Sequence, residues 1–282
     1  FENDLVFINP YFIEIFFEKI TNINDCVGFK LLTTQTDIKV SKNAYRSKPS
    51  CVVEWFATNV DFKSKNLHPI PLGLSNYPNK NLTFKNYVHG GDQFYTKNNK
   101  IYVNFEVNTN YFHRSKIVKN LQDDDLYIIE TENLNLTDYL EKLRLNKYVL
   151  TPWGNGFDTH RFWETLYAGS IPIVQDHITY AAANNLPAIK IQNYNFKEFN
   201  FLEDKLSEIK NLNYEKLKIG NWIQFMKGDT QKNNGNYFDV IFSDTEIETI
   251  IKKHNQKLLK ESNNKRLKTL IRRSHKLIFE NE

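Results

Sequence analysis

The sequence predicts an α/β protein built on parallel sheet, and three observations predict it. From Ile101 onward, apolar runs of strand length alternate regularly with stretches of helical periodicity, and such alternation implies parallel pairing through crossovers. Within it, residues 147–174 (KYVLTPWGNGFDTHRFWETLYAGSIPIV) read as a buried strand, a Gly/Asn turn, a helix that opens on Arg161 and a second buried strand. Ahead of it, residues 4–74 carry further short apolar runs separated by polar turns.

In that first half LVFI, VGFKLL, CVVEWF and HPIPLGL read as strands, with YFIEIFFEKI as a helix between the first two. Residues 75–100 hold Pro78, Gly90, Gly91 and many Asn and Lys, as an interdomain connection would. The second half then runs IYVNFEV strand, RSKIVKNL helix, LYIIE strand, LTDYLEKLRL helix, YVLTP strand, THRFWETLYA helix, IPIV strand, ITYAAANN helix and AIKIQ strand. Beyond Asn195 the pattern turns helical, in KEFNFLEDKLSEIKNL and YEKLKIGNWIQFM, and a basic helix is expected from Asp244. The expected partition is residues 1–98, residues 99–225 and a helical extension over residues 226–282.

A length of 282 residues suits two domains of ordinary size, and 40% hydrophobic content with 14% aromatics fills real cores. Cys26 and Cys51 cannot build a disulfide framework and read as small hydrophobes of a reduced compartment. No run of 18 apolar residues exists, because Asn9, Pro10 and Glu14 interrupt the apolar opening. The expected location is cytoplasmic, or peripheral on the cytoplasmic membrane face, with the first residue, Phe1, leaving open a missing N-terminal segment. A net charge of +4 is mild, and its excess sits at the C-terminus.

The chemistry concentrates in WGNGFDTHRFWETLYAG. Phe162, Trp163, Leu166 and Tyr167 supply an apolar side, while Arg161 and Glu164 lie three apart and project from one face. An arginine at a helix start adds a fixed charge to the positive dipole end and suits a diphosphate; a carboxylate one turn on suits the paired hydroxyls of a ribose. Gly154, Asn155 and Gly156 permit positive φ and close approach of backbone to a ligand. The bland alternatives are an i,i+3 surface ion pair and an ordinary turn.

This stretch resembles the nucleotide-sugar signature of exostosin-like glycosyltransferases. It is more distantly similar to the α1,3-fucosyltransferase pattern in which T-E-K-x-x-D-A precedes G-x-x-P-[IV]. Weaker echoes lie in WFATNVD (residues 55–61), HPIPLGLSN (residues 68–76) and YVNFEVNTNYFHRSKIVKNL (residues 102–121). The resemblance implies two Rossmann-like domains facing across a cleft (the GT-B type), a nucleotide-sugar donor held by the C-terminal one, and no essential metal. Carried over by position, it puts Arg114 and Arg161 on the donor diphosphate and Glu164 on the ribose, with Asn155, Gly156, Thr159 and His160 completing the donor site. His160 stands where fucosyltransferases have glutamate, which favours an exostosin-like donor; the plainer reading of His160 is a helix-start residue facing solvent.

An inverting transferase needs a base within reach of the attacking hydroxyl. Asp37, just after VGFKLL and at the position of the fucosyltransferase acid, is the candidate; Glu54, Asp61 and Asp92 compete. The expected function is an inverting, metal-independent glycosyl transfer from a nucleoside-diphosphate sugar to a glycan or lipid-linked acceptor. The alternative is a non-catalytic nucleotide- or glycan-binding domain. Asp123, Asp124 and Asp125 contain a D-x-D spacing but precede the strand LYIIE, away from the carboxyl ends where ligands gather, and read as a solvated turn. No cofactor and no metal are expected. Between Lys252 and Lys276 ten basic residues face one acid, Glu261, with apolar residues at roughly helical spacing. A peripheral membrane contact through residues 250–282 is one reading, a solvated outer helix another; nucleic acid is not expected as a partner.

Overall fold

A computed structural model describes residues 4–75, 97–121, 125–131, 134–194, 199–209, 212–228, 242–253 and 255–256. The chain divides into two compact units, Phe1–Pro10 with Val27–Gly235, and Tyr11–Cys26 with Asn236–Glu282. The large unit is α/β and holds two sheets, every described strand pairing parallel.

The first sheet runs β1 (Leu5–Phe7), β2 (Phe29–Thr33), β3 (Val52–Ala57) and β4 (Leu67–Pro69) in simple chain order. The predicted strand HPIPLGL shortens to its first residues because prolines 69 and 71 cannot donate to a ladder, and because the Leu72 N–H goes elsewhere, to the Asp158 carboxylate at 2.8 Å.

The second sheet contains β5 (Asn98–Val103), β6 (Tyr127–Ile129), β7 (Asn146–Leu150), β8 (Ile171–Gln175) and β9 (Ile189–Ile191) in the order β6-β5-β7-β8-β9. The order reverses between β5 and β7, which opens a crevice outside their carboxyl ends. β5 starts at Asn98, inside the stretch expected as connection. The apolar runs of β7 and β8 are almost wholly buried, as strands covered on both faces must be. Ile117 and Leu202 cover one face, packing with Ile101, Tyr148, Ile173 and Ile189; Leu140 and Leu143 join Tyr102 and Val149 on the other, where Phe162, Trp163 and Leu166 pack with Val174 and Tyr180. The covering side chains Ile117, Leu140 with Leu143, Phe162 with Trp163 and Leu166, and Leu202 belong in turn to α3 (Tyr111–Asn120), α4 (Leu136–Leu145), α5 (His160–Tyr167) and α6 (Phe199–Ser207), numbered after α1 (Ile13–Thr21) and α2 (Lys42–Arg46). Each large apolar side chain buried this way contributes roughly 1.5–3 kcal/mol.

Local chemistry sets the ends. Thr159, Asn135 and Asn110 cap α5, α4 and α3 with their side-chain oxygens. Gly169, at φ 69°, ends α5 in a left-handed turn whose following N–H, Ser170, reaches back to Thr165 O at 3.0 Å. The expected helix ITYAAANN is a 3-10 turn, Ile178–Ala183. YEKLKIGNWIQFM splits at the extended Lys218 into a 3-10 turn, Tyr214–Leu217, and α7 (Ile219–Lys227). α7 covers the first sheet: Met226 and Trp222 pack with Phe56, Ile70, Leu5 and Leu32. The Lys30 ammonium donates to the carbonyls of Met226 and Lys227 at 3.1 and 3.0 Å.

The smaller unit contains α1 and a helix over residues 244–253. Lys19 pairs with Glu246 at 2.9 Å, and the Phe12 and Phe242 rings meet edge to face at 5.5 Å. Most of the basic tail expected over residues 250–282 lies outside the described residues, as do Asp92, Asp123, Asp124 and residues 76–96.

Candidate functional site

A cleft of about 1060 Å³ opens at the reversal of the second sheet. One wall is the loop between β7 and α5; the other comes from the loop after β2 and the segment after β4. Asp37, Arg114, Asn155, Gly156, Thr159, His160 and Arg161, all predicted from the sequence, line it together. Gln35, Thr36, Leu72, Leu74, Glu106, Thr109 and Asp158 line it too and were not foreseen.

The β7–α5 loop is held at nearly every residue. Arg114 projects from the first turn of α3 and is 6% exposed. Its Nε donates to Trp153 O at 2.8 Å, Nη1 to Glu106 O at 2.8 Å and Nη2 to Pro152 O at 3.0 Å. Asn110 Nδ2 donates to Gly154 O at 2.8 Å, and the Tyr180 hydroxyl to Phe157 O at 2.6 Å. Asp158, buried, accepts from the Leu72 N–H, the Thr159 N–H and the Trp163 indole. Burial pushes its carboxyl up to about 6, with those N–H donors pulling it back down.

Arg114 therefore does something the sequence did not suggest. Three of its five N–H groups hold backbone carbonyls, so two remain for a ligand. Burial, and then the charge of Arg161, lower its pKa to about 10, which leaves it cationic at neutral pH. It braces the loop and lends the cleft a charge.

The glycines correct a second expectation. Neither Gly154 nor Gly156 has positive φ. Gly156 is needed for space, since a Cβ there would lie 2.7 Å from Asn59 Oδ1. Asn59 is fully buried at φ 54°; its Oδ1 accepts from the Asp158 N–H at 2.8 Å and its Nδ2 donates to Thr36 O at 3.0 Å. One amide thus joins the loop carrying Asp37 to the loop carrying the expected donor residues. The motif WFATNVD contained Asn59, but no spacing rule marks a lone asparagine as a staple.

At the start of α5, Thr159 Oγ1 accepts from the Phe162 N–H, while the N–H groups of His160 and Arg161 meet no protein acceptor among the described residues. Together with the helix dipole they form an anion-seeking end. His160 is not simply turned to solvent: its Nδ1 donates to Gly73 O at 2.8 Å, and the residue lines the cleft. Arg161 lies over the Tyr139 ring, 5.1 Å from its centroid, with Nη1 3.5 Å from Asn104 Oδ1.

Glu164 is the expected donor residue that the fold does not bring to the cleft lining. It is 8% exposed, and its Oε2 accepts the Tyr139 hydroxyl at 2.8 Å. Two competitors of Asp37 are engaged elsewhere: Glu54 pairs with His68 at 3.1 Å and Lys30 at 3.5 Å, and Asp61 with Lys39 at 2.8 Å and His177 at 3.6 Å. Asp37 is exposed and lines the cleft. Among the described residues no cluster of three His, Cys, Asp or Glu side chains is arranged to hold a metal ion, and no helix is long and apolar enough to cross a membrane. Cys51 is buried and Cys26 partly buried, and the two are not joined in a disulfide.

Comparison with protein-family models and with curated proteins returned no match.

Proposed function

We propose that the chain is an inverting glycosyltransferase of the GT-B type that takes a nucleoside-diphosphate sugar as donor and works without an essential metal. The observation that carries the reading is the meeting, in one cleft at a strand-order reversal, of two guanidinium groups, an open helix N-terminus and, from the other sheet's loop, an accessible carboxylate. Arg161 and the α5 N–H groups receive the diphosphate. Arg114 adds charge from behind the loop it braces. Asp37 takes the proton of the acceptor hydroxyl as that oxygen attacks the anomeric carbon; the bond from that carbon to the diphosphate breaks, and the nucleoside diphosphate leaves with its charge held by the arginines. A preformed, immobile set of donors suits this work because it costs no rearrangement when charge develops. The acceptor is a glycan or a lipid-linked hydroxyl compound.

Thermal shift with a panel of nucleoside diphosphates and their sugars identifies the donor, since a ligand of the folded state raises the melting temperature according to its affinity. Arg161→Ala is expected to lower the transfer or donor-hydrolysis rate about a hundredfold, roughly 3 kcal/mol of transition-state stabilisation, and Asp37→Asn to abolish transfer with donor binding intact. A wild-type chain that binds donor and never turns it over overturns the enzyme in favour of a binding domain.

A further inference from the structure

Arg161 and Glu164 stand three residues apart on α5, a spacing at which opposite charges normally meet. They do not meet here. No carboxylate of the described residues comes within 4.0 Å of the Arg161 nitrogens. Both instead engage Tyr139 on α4, whose hydroxyl donates to Glu164 Oε2 at 2.8 Å and whose ring lies beneath the Arg161 guanidinium at 5.1 Å. One side chain engages both partners of the pair that fails to form.

We infer that Tyr139 is a positioning residue that keeps Glu164 off Arg161, so that the arginine presents an unneutralised charge to an anionic ligand in the cleft. The inference rests on the reading of Arg161 as an anion contact. A ring face holds a guanidinium weakly and leaves its N–H edges free; an ion pair would occupy those edges and cancel the charge. Glu164, at 8% exposure, needs a donor. With the hydroxyl gone, a nearly buried carboxylate left unsatisfied is costly, and the cation one turn back on its own helix becomes the partner within reach.

Calorimetric titration with inorganic pyrophosphate at low salt tests this in the full chain. The probe has no ribose, so a role of Glu164 toward a ribose cannot enter the result. Tyr139→Phe keeps the ring and loses one oxygen; it is expected to weaken pyrophosphate binding about tenfold, the scale of one charge-assisted hydrogen bond. Adding Glu164→Gln to it is expected to restore affinity to within about twofold of wild type, because the amide cannot neutralise Arg161; a structural defect would not be repaired by that change. Glu164→Gln alone is expected to bind as wild type does. Unchanged binding by Tyr139→Phe, failure of the double variant to recover, or a tenfold gain in Glu164→Gln alone overturns the inference while the anion site stands. If Arg161→Ala binds pyrophosphate as wild type does, or wild type does not bind it, the anion site itself falls, and this inference with it.

Discussion

The two sheets of the large unit are both parallel, yet they prepare their shares of the cleft differently. The second sheet reverses strand order and meets the cleft with a loop whose residues 152–154 and 157–158 are each held by a side chain reaching in from elsewhere. The first keeps chain order through its described strands and meets the cleft with residues 35–37, tied through the Thr36 carbonyl to Asn59. Under the proposed function the difference separates two tasks: a diphosphate is best held by a rigid cradle of donors, whereas a face that admits an acceptor benefits from a lightly held loop.

The sharpest way to break this contrast is Arg114→Met, which leaves three backbone carbonyls without their donor; it is expected to destabilise the chain by about 3 kcal/mol in urea unfolding. A smaller perturbation of the same loop, Gly156→Ala, drives a methyl against Asn59 and is expected to cost about 2 kcal/mol, with no compensating gain from the lower chain entropy of alanine. Next comes pH. The Asp158 carboxyl is held near 6 by burial against 3.8 in the unfolded chain. A raised folded value means that its contribution to stability is full below pH 3.8 and is lost as pH rises through about 6. Melting temperatures measured from pH 4 to 7 should therefore fall for wild type relative to Asp158→Asn as pH rises. The smallest effect belongs to the other wall: Asp37→Asn should move the melting temperature by less than about 2 °C. A shift as large as that of Gly156→Ala would show the loop of residues 35–37 to be as tightly built as its counterpart.

The fold was legible where periodicity was strong. Alternating runs such as IYVNFEV, YVLTP and IPIV announced the second sheet, and THRFWETLYA announced α5. What resisted reading was tertiary. ITYAAANN has good helix formers, yet Tyr180 must send its hydroxyl to Phe157 O, and the segment tightens into a 3-10 turn. The β4 run lost its end to Asp158, a partner 86 positions away. Residue types picked out several residues that the fold gathers in one cleft, but Glu164 turned to a tyrosine from another helix and Gly156 answered a steric demand from Asn59. Both depend on which side chain stands opposite, and one sequence does not state that.

Packing of α7 onto Phe56 and Ile70 gives the order of synthesis a consequence. While a ribosome is still making residues 100–210, the first sheet lacks the cover that will close over those two side chains. It stays greasy on that side until Trp222 and Met226 have left the exit tunnel, so a nascent chain stalled before them should bind a holdase chaperone and become resistant to protease only after release.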